Sequence, residues 1–135
     1  VLLSDYHVFY MNVRGFHWNI KGKYFFVLHE KFEGLYNFLN DTADEIAERI
    51  LMLGGKPVHS MSGFLQKTRF SEAQDVVSAN ETVSLVLESL IKLVEFQREL
   101  ISNAAEAGDE GTVGLLSGLI EEQEKLIWMY DTFLQ

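Results

Sequence analysis

The sequence has no cysteine. This excludes a disulfide scaffold, a thiolate zinc site and an iron–sulfur cluster. It has one proline, Pro57, so long helices meet few breakers. Positive charge is scarce: 11 Lys and Arg stand against 20 Asp and Glu, a formal net charge of −9. That balance opposes general nucleic-acid binding, which needs a cationic surface, and it attracts cations. No apolar run approaches the roughly 20 residues that span a bilayer, and no stretch has the form of a signal peptide. A cytoplasmic location without membrane attachment is expected. A glycine-rich phosphate loop, an internal repeat and a low-complexity segment are all missing. The chain opens at Val1 in mid-pattern, without methionine. A preceding N-terminal segment is expected, and DNA contact through a basic tail would belong to it.

What remains is apolar periodicity. The 135 residues are 47% hydrophobic, enough for one domain with a core. Leu2, Leu3, Tyr6, Phe9, Tyr10, Val13, Phe16 and Ile20 recur at helical spacing over 1–20, with Gly22 as a stop. A second helix is expected over 24–53. Its stripe is Phe25, Leu28, Phe32, Leu35, Leu39, Ala43, Ile46, Ile50 and Leu53, widened by Tyr36, Ala47 and Leu51. Gly54-Gly55-Lys56-Pro57 ends it. A connection over 58–70 has room for a short helix near Ser60. A third long helix is expected over 71–107, capped by Ser71 and Glu72, and a last one over 112–134. The pattern predicts an all-α four-helix bundle over 1–135, with a long crossover between the second and third long helices.

The chemistry lies in the first two helices, in His17, His29, Glu33, Asp44 and Glu48. Imidazole and carboxylate together suit iron, manganese or zinc. His29 and Glu33 are i and i+4 and share a helix face, as do Asp44 and Glu48. The eleven residues from Glu33 to Asp44 rise roughly 16 Å, whereas a metal–ligand bond is about 2 Å long. One helix cannot wrap both pairs around one ion. Either each pair serves its own site, or a second, antiparallel copy brings its pair across. The second reading places a two-fold axis near Asn37 or Phe38 and makes two equivalent sites per dimer.

Each piece alone has an ordinary explanation. Helical His–Glu and Asp–Glu pairs are usually solvated, and Glu45 with Arg49 can form exposed ion pairs worth tenths of a kcal/mol. His7 and His59 read as ordinary half-buried or surface histidines, and Trp18 as a buried aromatic. The combination carries more, because neighbouring carboxylates repel unless a cation or proton neutralises them. Ferritin-like di-iron bundles place Glu-x-x-His pairs in the bundle core. This sequence contains no Glu-x-x-His, so an interface is the natural alternative.

Phe16-His-Trp-Asn-Ile-Lys-Gly22, Leu28-His-Glu-Lys-Phe-Glu33 and Asp44-Glu-Ile-Ala-Glu-Arg-Ile50 resemble the Dps family, the mini-ferritins called DNA-binding proteins from starved cells. The resemblance covers most of the chain. It implies a hollow shell of twelve ferritin-like subunits with ferroxidase sites at two-fold interfaces. It assigns His17, His29 and Glu33 to one subunit and Asp44 and Glu48 to its partner, with Glu30 as a lesser outer ligand. It implies oxidation of Fe²⁺ by hydrogen peroxide in preference to dioxygen, storage of ferric oxide, and zinc as a substitute metal. The family resemblance implies aspartate where this chain has Glu33; the extra methylene moves the carboxylate outward and bears on the occupancy or affinity of the weaker second iron position. Acidic pores near the start of the last helix are also implied, with Asp109 and Glu110 as candidates. Trp18 would be either a packing residue or a sink for stray oxidising equivalents. The competing readings are a DNA-compacting structural protein and a helical oligomer holding structural zinc.

Overall fold

The computed structural model describes residues 1–135. The order is α1 (Leu2–Asn19), α2 (Phe25–Met52), α3 (Met61–Lys67), α4 (Ala79–Glu106) and α5 (Glu110–Phe133), with no strand. No helix is long and apolar enough to cross a membrane. The chain divides into two compact units, Val1–Thr82 and Val83–Gln135.

In the first unit, α1 and α2 form an antiparallel hairpin. Gly22 lies between them at φ 114°, a backbone that a side chain would strain. The hairpin register is set by ring contacts: Phe16 meets Phe32 with centroids 5.9 Å apart, and Tyr10 meets Tyr36 edge-on at 6.0 Å. Leu28, Phe32, Leu35, Leu39, Ala43 and Ile46 make the buried face of α2, and each large side chain so buried contributes about 1.5–3 kcal/mol. The expected stripe is too long at its C-terminal end, because Leu51 and Leu53 are exposed there.

The crossover is held to α1 by polar groups. Asp5 is 0% exposed. Its Oδ1 accepts hydrogen bonds from Thr68 Oγ1 at 2.8 Å and Arg69 N at 2.7 Å. Its Oδ2 accepts from Arg69 Nε at 2.9 Å, and the Arg69 guanidinium pairs with it at 2.8 Å. A buried carboxylate survives only when paired and hydrogen-bonded in this way. Asn12 takes the next segment: its Nδ2 donates to Ser71 O and its Oδ1 accepts from Ala73 N.

These bonds explain why the third long helix does not start at Ser71. Backbone groups of Ser71 and Ala73 are claimed by Asn12, Val77 O accepts from Lys21 N, and Asp75 has φ 58°. Helix α4 begins at Ala79, with Ser78 Oγ accepting from Glu81 N. Ala73, Val76 and Val77, which fall inside the expected helix, are half-buried residues of an irregular segment.

In the second unit, the rest of α4 and α5 make another antiparallel hairpin, turned at Gly108 with φ 73°. The Asp109 carboxylate caps α5 by accepting from Thr112 N and Thr112 Oγ1, so the helix starts at Glu110, two residues earlier than the apolar pattern suggests. Gln97 Nε2 donates to Gln123 Oε1 at 2.7 Å, both side chains being fully buried.

Candidate metal centre

His17 lies on the last turn of α1 and His29 on the second turn of α2. The hairpin register stacks their rings, with centroids 3.8 Å apart and planes 11° from parallel. His17 Nδ1 donates to the backbone oxygen of His29 at 2.6 Å, and His29 Nδ1 donates to the backbone oxygen of His17 at 2.7 Å. A carbonyl can only accept, so each Nδ1 carries a proton. In the neutral ring the lone pair then falls on Nε2, and neither Nε2 has a partner within the chain. This is the arrangement in which a hydrogen bond from one ring nitrogen orients the other toward a metal. Phe25 stacks on His29 at 4.9 Å and Tyr36 meets the edge of His17 at 5.3 Å. His17 is 7% exposed.

Phe25 and Tyr36, read as core residues, are in fact the frame of the two imidazoles. The reciprocal Nδ1 bonds have no sequence signature at all, since they follow from the register of the hairpin. Trp18 is not the buried aromatic expected. It is exposed, with the Arg14 guanidinium 4.7 Å from its ring centre.

The three carboxylates are arranged differently. Glu33, Asp44 and Glu48 are exposed, on the side of α2 opposite its buried face. At 3.6 residues per turn, Phe26, Glu33, Asn37, Asp44, Glu48 and Leu51 fall within about 60° of one another around the helix. Phe26 is 84% and Leu51 59% exposed. The stripe is therefore acidic in its middle and apolar at both ends. Within the chain, no three His, Cys, Asp or Glu side chains converge. The structure brings His17 to His29 and leaves the carboxylates in solvent. The donor set suits a divalent metal ion: two imidazoles oriented by their Nδ1 hydrogen bonds, and hard carboxylates with no other partner.

The model of the ferritin-like domain family matches residues 2–135. An uncharacterized protein of Haemophilus influenzae is 48% identical over 99% of this chain and 84% of its own length. The DNA protection during starvation protein of Porphyromonas gingivalis is 46% identical over 98% of this chain and 83% of its own. Among solved structures, the Dps protein of Vibrio cholerae, described as a member of a broad superfamily of ferritin-like diiron-carboxylate proteins, superposes with a TM-score of 0.98 at 46% identity, covering 99% and 84% of the two chains. A Dps of Listeria innocua soaked with zinc gives 0.94 at 30% identity, covering 98% and 90%. Helices alone, in this order, and the matched structures define an all-α, ferritin-like protein. Within that class, the chain belongs to the Dps family.

Proposed function

We propose that this chain oxidises Fe²⁺ at sites shared between two copies and stores the ferric product in a hollow shell of twelve subunits in the cytoplasm. His17, His29 and Glu33 of one copy and Asp44 and Glu48 of the next would bind the iron, which is substrate and cargo. The observation that carries this reading is the locked pair of imidazoles, whose only unused donors are two Nε2 lone pairs. A second observation supports the shared site. Phe26 and Leu51 have the same midpoint along α2 as His29 with Glu48 and Glu33 with Asp44, between Phe38 and Leu39. One antiparallel pairing would therefore cover the exposed apolar ends and unite the ligands. A two-fold contact of this kind is self-complementary.

Imidazole holds Fe²⁺ adequately, and the harder Fe³⁺ gains more from carboxylate, so the mixed set favours the oxidised product. With hydrogen peroxide as oxidant, two Fe²⁺ and two protons give two Fe³⁺ and two waters. Taking both electrons in one place avoids hydroxyl radical. Trp18, exposed beside His17, is available to absorb oxidising equivalents that escape. Dioxygen is the alternative oxidant and zinc a competitor for the site.

The name of the Porphyromonas gingivalis relative speaks of DNA protection. With a net charge of −9, this chain would protect by removing iron and peroxide; coating DNA would require counter-ion release from a cationic surface. The test adds Fe²⁺ anaerobically, then peroxide, and follows iron absorbance through a sizing column. Iron eluting with a large shell is expected. A shell free of iron beside precipitated ferric oxide would overturn the storage reading and favour the structural ones.

A further inference from the structure

The seam between α1 and α3 carries a second group of donors that the iron chemistry does not use. A recess of about 250 Å³ opens there, lined by His7, Met11, Met61, Phe64 and Glu72 among others. We infer that His7, Met11 and Met61 form a binding site for a soft, monovalent metal ion, cuprous copper.

Geometry brings the three donors together. His7 stacks on Phe64 with centroids 4.0 Å apart and planes 16° from parallel, which fixes the imidazole plane at the seam. Met11 is one turn beyond His7 on α1, and Met61 is one turn before Phe64 on α3. Residues so spaced share a helix face, so Met11 lies on the face of His7 and Met61 on the face of Phe64, and all four line the one recess. The His7 nitrogens have no hydrogen-bond partner in the chain, unlike those of His17, His29 and His59, each of which engages a backbone oxygen. Burial lowers the pKa of His7, which keeps the ring neutral and its lone pair available at neutral pH. Both methionines are exposed at the recess and their flexible side chains can close on an ion.

Two thioethers and one imidazole select Cu(I) by softness. Zinc and Fe²⁺ gain more from imidazole with several carboxylates; the recess has a single carboxylate, the exposed Glu72, against two thioethers. The site is thus independent of the proposed iron centre and shares no residue with it.

The test is an anaerobic titration of the assembled full-length protein into the Cu(I)–bicinchoninate complex, followed by its colour. The protein is expected to withdraw one Cu(I) per chain. Met11→Leu and Met61→Leu should each weaken uptake roughly tenfold, on the scale of lost metal-site interactions. Adding His7→Phe, which keeps a ring against Phe64, should abolish it. Met52→Leu and Met129→Leu should change nothing. X-ray absorption at the copper edge should report sulfur and nitrogen neighbours. If His7→Phe impairs folding, the methionine pair carries the test, because Met→Leu conserves volume. No withdrawal by the unaltered protein, or undiminished withdrawal by the double methionine variant, would overturn the site.

Discussion

The two imidazoles and the three carboxylates of the candidate centre differ in how much of their position the chain itself determines. His17 and His29 are fixed by hairpin register, stacking and reciprocal hydrogen bonds. Glu33, Asp44 and Glu48 are exposed on a solvated helix face. Under the proposed reading, the difference teaches that one half of the centre is built by folding and the other half would be completed by assembly. A complete set of ligands in the monomer would bind iron in any free chain. A divided set, as proposed, would tie iron oxidation to the assembled protein, where the product has somewhere to go.

The sharpest way to break this comparison is to remove the carboxylates alone. Asp44→Ala with Glu48→Ala should reduce fast Fe²⁺ oxidation by at least about a hundredfold, the upper range for lost metal-site groups. Neither residue is in the buried face of α2, so the helical content should stay as it is. Stopped-flow absorbance of the ferric product with circular dichroism beside it reads both. Unchanged rates would refute the assignment of these two residues.

A comparable loss is expected without touching a ligand. Phe26→Glu places a charge in the apolar end of the α2 stripe, opposite Leu51 of a second copy under the proposed pairing. The variant should shift toward smaller species in sedimentation velocity and lose at least about tenfold in oxidation rate. Buried unpaired charge costs several kcal/mol, enough to open such a contact. A variant that stays assembled and active would place the interface elsewhere.

Sequence periodicity made α2 legible almost to the residue, 24–53 expected against Phe25–Met52 observed, because an amphipathic helix advertises its buried face. Its exposed face was legible only as ligand spacing. The same periodicity misled at 71–78, where Ala73, Val76 and Val77 mimic a helix stripe. The competing bonds come from Asn12 and Lys21, far away in the chain, and no local pattern reveals them. Asp5 was likewise invisible, since its partners Thr68 and Arg69 lie more than sixty positions away. Ligand types and their spacing were readable in the sequence, and the proposed division between two copies was drawn from that spacing and from the family resemblance. The tautomers were not, for they depend on which carbonyl each ring meets.

Removing an imidazole should cost stability as well as activity. His17→Ala deletes one hydrogen bond to the carbonyl oxygen of His29, which keeps its place in the α2 ladder, and removes the ring stacked on His29. A hydrogen bond of this kind contributes about 0.5–1.5 kcal/mol net, and the lost ring packing adds to it. A lower Tm by differential scanning calorimetry is therefore expected for His17→Ala, and none for the carboxylate pair. Equal stability losses in both variants would erase the distinction between a folded half and an assembled half.

The smallest effect is expected at Glu33, the ligand candidate where the family resemblance implies an aspartate. Glu33→Asp shortens the side chain by one methylene on an exposed helix face, where packing is not at stake and stability should be unchanged within about 0.5 kcal/mol. If Glu33 holds the weaker of two iron positions, the first Fe²⁺ should bind as before in an anaerobic titration, and the second should change affinity by a few fold. A change at the first position would move Glu33 to the same rank as the imidazoles. No change at either would leave it a solvated carboxylate, and the assembled half of the centre would consist of Asp44 and Glu48 alone.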